Sequence, residues 1–316
     1  MKYSGTIFDM HVHVLDTTRT DDVLQLQRDY GYNGFNILSL EAITDGQNDM
    51  AFALSQRTGC TVFAGLNHKP APGTSDEPAV LYAEQAREML ARGALGYKMI
   101  EGKPDVYRNL AKRFNTSPLT SNAMMDFYAE LERQGAVLLL HAGDPPEFWS
   151  NAPDWAKEAG CAYDDPDFPR LETIRTEVEE IAQRFPKLNF ILAHFYFIAN
   201  DIKEATRLLD TYPCLVFDLC PGVEMYPHFS KNPDAWREFF MKYNNRILFG
   251  TDNCETSTPK ERADKDVINR MVHQFLQSSE KFLAWDLEIQ GIDLPVDVLE
   301  NIYHKNFQRL TGKESE

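Results

Sequence analysis

The stretch Phe8-Asp9-Met10-His11-Val12-His13 sets two imidazoles two residues apart, at the end of an apolar run from Thr6 to Val14. Side chains alternate between the faces of an extended strand, so His11 and His13 project to one side, close enough to grip a single ion. That is half of a metal site. Three later apolar runs also end in a ligand-type residue: Leu138-Leu139-Leu140-His141, Ile191-Leu192-Ala193-His194 and Leu248-Phe249-Gly250-Thr251-Asp252. Strands that terminate this way are the pattern of a parallel barrel at its catalytic rim. His68, His228, His273 and His304 hold no such position, and His273 lies in a helical pattern that predicts a surface residue.

Positioning these groups takes a regular scaffold. Eight β-rich runs, at 6–14, 35–40, 61–67, 94–100, 136–141, 189–194, 215–219 and 246–251, alternate with helical patterns. Such alternation predicts βα units and a parallel sheet. An open doubly wound sheet would place a glycine-rich phosphate turn after its first strand, whereas His-Val-His-Val-Leu-Asp stands there. The expected fold is therefore α/β, a distorted (β/α)8 TIM barrel over residues 1–316 as one domain. Ser121 is the expected N-cap of one helix, and prolines 70, 72 and 78 mark 69–78 as a loop. A long loop, 143–170, is expected over the mouth, and a helical extension at 260–312.

Composition narrows the partners. The 316-residue chain carries a formal net charge of −16, which argues against nucleic acid and anionic membranes as partners. No secretion signal is expected before the first strand, and no apolar run approaches the ~20 residues that span a bilayer. Five cysteines, odd in number and without Cys-x-x-Cys spacing, read as reduced thiols in a cytoplasmic protein. The expected partner is a small-molecule substrate, with a homo-oligomer left open.

His11-x-His13, Lys98 on strand four, His141, His194 and Asp252, taken in order, resemble the metal-dependent amidohydrolase superfamily. Within it the chain is similar to the amidohydrolase-2 branch, which also contains aminocarboxymuconate-semialdehyde decarboxylase and related non-oxidative decarboxylases. Supporting fragments are Phe185-Pro186-Lys187-Leu188-Asn189-Phe190, Ile247 to Asp252, and Val298-Leu299-Glu300-Asn301-Ile302-Tyr303-His304-Lys305-Asn306-Phe307. The resemblance spans essentially the whole chain.

What it implies is a divalent ion, Zn2+ foremost with Mn2+, Fe2+ or Co2+ admitted, held by His11, His13, His141 and Asp252. Asp252 would be both ligand and proton acceptor. His194 would polarise a carbonyl or donate a proton, or hold a second ion in a binuclear site. In two-metal relatives a lysine at the position of Lys98 is carboxylated and bridges the ions; Lys98 would otherwise pair with Glu101 or Asp252, or bind a substrate carboxylate. The implied reaction is hydrolysis of an amide, lactone or ester, with non-oxidative decarboxylation of an aromatic or unsaturated acid as the alternative. Phe148, Trp149 and Tyr196 are expected to touch substrate, Asp9 to brace the barrel floor, and Asp218 with Glu224 to make the mouth acidic.

Overall fold

The computed structural model describes residues 3–16, 18–69, 81–222 and 224–313. Eight strands, β1 (Phe8–Val12), β2 (Gly34–Leu38), β3 (Thr61–Gly65), β4 (Gly96–Gly102), β5 (Val137–Ala142), β6 (Asn189–Leu192), β7 (Leu215–Asp218) and β8 (Ile247–Leu248), pair in sequence order and in parallel. Helices cross over between them, and the sheet forms the expected TIM barrel. Closure between β8 and β1 runs through backbone bonds from Met10 N to Phe249 O (3.3 Å), Asp252 N to His11 O (2.9 Å) and His13 N to Asn253 O (2.8 Å).

Alternation along the strands sorts residues between two cores. Leu138 and Leu140 pack outward under the helices, while Val137 and Leu139 point into the barrel with Leu38, Phe63, Ile191 and Val216. His141 continues the inward register. In β1, Phe8 and Met10 pack inside but Val12 and Val14 pack outside, and the pairing with β2 slips between Asp9 and Val12. That irregularity brings His11 and His13 to the interior. Phe307, from the C-terminal helix, plugs the opposite end, stacking on Phe8 (4.5 Å) and Phe63 (6.0 Å).

Three expectations need correction. The last strand, predicted over 246–251, pairs only at Ile247–Leu248, because Phe249 N turns to Ile302 O (2.9 Å) and Asp252 adopts a left-handed φ of 56°. The segment 260–312 is not wholly helical: the helix Pro259–Gln277 is followed by an antiparallel hairpin, β9 (Lys281–Ala284) and β10 (Leu287–Gln290). Helix resumes only at Val296. Phe282 to Ile289 follow a period-two pattern around Trp285-Asp286, which outweighs the helical periodicity on either side. The loop 143–170 contains a 3-10 turn, Pro146–Trp149, and a short helix, Asp154–Glu158, packed on a small core of Phe148, Ala152, Ala156 and Tyr163.

Ser121 caps the helix Asn122–Gln134, its hydroxyl accepting from Met124 N (3.4 Å). Most of the proline-rich loop, including all three prolines, lies outside the described residues, as does the start of the helix expected from 79. Among the described residues no helix is long and apolar enough to cross a membrane.

Candidate metal centre

The His11 and His13 rings are each held through Nδ1, and their Nε2 atoms converge. His11 Nδ1 lies 2.7 Å from Asp218 Oδ2, and His13 Nδ1 lies 3.0 Å from the carbonyl of Leu38. The two Nε2 atoms face each other at 3.3 Å, with Asp252 Oδ1 at 3.6 Å from His11 and 3.4 Å from His13. Burial pushes His11 well below its ordinary pKa and His13 down to about 4, so both are neutral, the form that binds a metal. Burial would raise the Asp252 carboxyl, but the His11 and His13 imidazoles once protonated, with the Lys265 ammonium, hold it well below the usual range. Two neutral imidazole nitrogens and a carboxylate converging on one point fit a divalent first-row ion.

His194 enters from an unusual piece of backbone. After β6 the chain makes a left-handed turn in which His194, Phe195, Tyr196 and Phe197 all have φ between 51° and 56°, and none is glycine. Such conformations cost roughly 1–2 kcal/mol per residue. Two features hold the turn. Asp218 Oδ1 accepts from His194 N (2.7 Å), and the Phe195 ring is fully buried against Phe217 (4.7 Å), Phe229 (5.0 Å) and Trp236 (5.5 Å). His194 Nδ1 lies 3.2 Å from Cys220 O, and burial lowers this histidine to about 4.

Asp218 thus braces two histidines from inside the barrel wall. It is fully buried, not a mouth residue, and burial raises it to about 6 against the opposing charges of His194 and Lys98. Asp9 does the same for the seam, accepting from Thr251 Oγ1 (2.6 Å) and Gln27 Nε2 (3.2 Å).

His141 stands apart from the three-donor groups. Its ring makes an edge contact with His194 (4.9 Å), but its Nε2 lies 3.2 Å from Asp144 Oδ1. Asp144 in turn accepts from Tyr163 OH (2.5 Å) and Lys103 Nζ (3.3 Å). Burial would raise Asp144, but His141, Lys103 and Tyr163 hold it at about 2. The structure therefore presents His141 as a histidine backed by a carboxylate and tied to the long loop.

Lys98 is buried in the barrel, where burial lowers its pKa against the charges of Asp218, Asp252, Cys220 and Glu101. Glu101 is itself engaged by His68, at 2.7 Å from Nε2. Phe148 lines a cavity of about 250 Å3 with Pro145, Trp155 and Glu224. Burial pushes Glu224 up to about 7, with Glu147 and Asp144 adding to the rise. Trp149 instead braces the loop, donating to Pro169 O (2.8 Å), and Tyr196 is buried in the wall. His273 is not a surface residue: it is buried, stacked on Phe249 and bonded through Nδ1 to Tyr303 OH (2.8 Å). A larger groove of about 650 Å3, beside His273 and Gln277, touches none of the metal-ligand candidates.

Cys220, Tyr163 and Lys103 were not singled out from the sequence. Cys220 forms a second three-donor group with His11 and His194, all three buried. Asp218 carried the same signal as the chosen ligands, an acidic residue ending an apolar strand.

No curated protein matches the chain. Among solved structures, the chain is similar to an amidohydrolase from Burkholderia multivorans with bound zinc, at 12% identity and a TM-score of 0.58, over 98% of this chain and 100% of that one. It is likewise similar to dihydroorotase from Campylobacter jejuni, at 14% identity and a TM-score of 0.56, over 98% and 84% of the two chains. A third is 5-carboxyvanillate decarboxylase from Sphingomonas paucimobilis, at 10% identity and a TM-score of 0.55, over 98% and 100%. At these identities the likeness is one of fold. The amidohydrolase family model matches residues 8–312, nearly the whole barrel and its C-terminal helices, and the chain belongs to the amidohydrolase family of metal-dependent enzymes.

Proposed function

We propose that the chain hydrolyses a C–N or C–O bond of a small molecule, an amide, lactone or ester, with a divalent ion held by His11, His13 and Asp252. The convergence of those three donor groups at the C-terminal end of the barrel carries the reading. When bound, such an ion polarises a carbonyl oxygen and makes a water acidic enough to ionise near neutral pH. Zinc suits the nitrogen-rich donor set, and manganese, iron and cobalt are admitted.

The chain's own residues divide the proton work. Asp252, ionised at neutral pH, takes a proton from the attacking water on its carboxylate. His141, backed by Asp144, holds the proton that the leaving nitrogen or oxygen needs. His194 stands between them with Nδ1 engaged, so its Nε2 is available to the substrate carbonyl or to an ion. The cavity beside Phe148 sets Glu147 and Glu224 with His228 and Lys231, so its charge favours neither a neutral nor an anionic substrate.

A second reading, non-oxidative decarboxylation, draws on Lys98, a buried amine able to meet a substrate carboxylate. Supplying amides and lactones beside aromatic acids, and following ring opening against CO2 release, separates the two. Elemental analysis after dialysis tests the common premise, with one ion per chain expected. Metal-free protein that turns over as fast as metal-loaded protein would overturn it. Lys98 also bears on the ion count, because a burial-lowered amine is readier to be neutral, the form that combines with CO2. Two ions bridged by a carboxylated Lys98 in bicarbonate would replace the one-ion assignment. The setting we assign is the cytoplasm, which suits five free thiols.

A further inference from the structure

We propose that Cys220 supplies a thiolate ligand to this metal centre, beside His11 and His194. This rests on the metal-dependent reading above and adds to it a sulfur donor that the sequence pattern did not suggest.

Cys220 follows β7 by two residues and is fully buried, and its side chain forms a three-donor group with the two histidines. The orientation of each partner is already set. His11 has Nδ1 engaged by Asp218, and His194 has Nδ1 engaged by the carbonyl of Cys220 itself. Each ring therefore keeps only Nε2 for an ion. The backbone of Cys220 is also held, its N donating to Asp218 Oδ1 (3.2 Å). One carboxylate thus positions all three: Oδ2 holds the His11 ring, while Oδ1 holds the peptide nitrogens of His194 and Cys220.

His11 belongs to both donor groups, yet it has one free nitrogen. The two groups are separate sets of converging donors that share this ring, so an ion seated with His194 and Cys220 takes His11 from the seat formed with His13 and Asp252. On binding, the sulfur–metal bond forms as the thiol proton leaves to solvent. A thiolate in the shell favours zinc, iron or cobalt over manganese, which prefers oxygen donors.

The test is to strip the full-length protein with a chelator, reload it with Co2+ and record the near-ultraviolet spectrum beside the cobalt content. A sulfur-to-cobalt charge-transfer band is expected, lost in Cys220→Ser and retained in Cys254→Ser. Cobalt bound without the band, or a band that survives Cys220→Ser, overturns the thiolate and leaves the hydrolase reading standing. Failure of the chain to take up cobalt, zinc or manganese overturns both. X-ray absorption on the zinc-loaded wild-type protein needs no variant, so it decides even if Cys220→Ser fails to fold. A sulfur neighbour at roughly 2.3 Å supports the ligand, and a shell of nitrogen and oxygen alone sinks it.

Discussion

Asp218 Oδ2 lies 2.7 Å from His11 Nδ1, inside a wall where neither side chain meets solvent. The carboxylate selects the tautomer of His11 that carries its proton on Nδ1, which leaves the Nε2 lone pair for an ion. Asp218→Asn keeps the shape but weakens that selection. Metal affinity, measured by competition with a chromophoric chelator, is expected to fall about 10–100-fold. An unchanged affinity would show that the ring needs no such orientation.

His141 separates the sequence expectation from the observed geometry. The resemblance implied a metal ligand, whereas the structure turns its Nε2 to Asp144. His141→Ala is therefore expected to keep its metal through dialysis while losing turnover, and His13→Ala to lose both. Metal analysis of the two proteins side by side decides between the roles. Loss of the ion from His141→Ala would restore it to the ligand set.

The left-handed turn at His194 depends on what Phe195 buries. Phe195→Ala removes a fully enclosed ring from contact with Phe217, Phe229 and Trp236. A loss of about 3–5 kcal/mol in urea unfolding is expected. Metal affinity should fall alongside, since the His194 backbone loses the packing that offsets its conformation. A loss below about 1 kcal/mol would mean that Asp218 alone holds the turn.

His273 gives stability a pH dependence away from the metal. Burial lowers it from 6.5 to about 4, so the folded protein holds it neutral where the unfolded chain binds a proton. Its contribution is complete above pH 6.5 and is lost as pH falls toward 4. Between pH 7 and pH 5 this amounts to about 2 kcal/mol. His273→Gln should be less stable at pH 7 yet show a correspondingly smaller drop at pH 5, measured by urea titration of the metal-loaded protein. Equal drops in the two proteins would remove His273 as the cause.

The barrel was legible because its signal is repeated. Each apolar strand and each amphipathic helix states the same alternation, and the end of a strand is where a ligand-type residue has meaning. That His11, His13 and Asp252 would converge could be anticipated on that basis. Asp218 ends its strand in the same way, but which face an acidic residue takes at the end of a four-residue strand is decided by neighbours from other strands. Cys220 and the His141–Asp144–Tyr163 contacts lie in irregular backbone, where no period exists to read. The hairpin at 281–290 was missed because helical periodicity on both sides hid a short period-two segment between them. Four consecutive left-handed residues without a glycine run against every local preference, and the packing of Phe195 with the Asp218 bond to His194 N makes them tenable.

The seam between the first and last strands of the barrel has a further consequence. The bonds from Asp252 N to His11 O and from His13 N to Asn253 O join segments some 240 residues apart in the chain, so they are among the most entropically demanding contacts to form. The side chains of three of them, His11, His13 and Asp252, are the proposed ion ligands. An ion bound there acts as a clasp on a ring, and its binding free energy is added to the step that brings the two ends of the sheet together. Removing the ion is on this view expected to loosen the β1–β8 seam before any other part of the barrel.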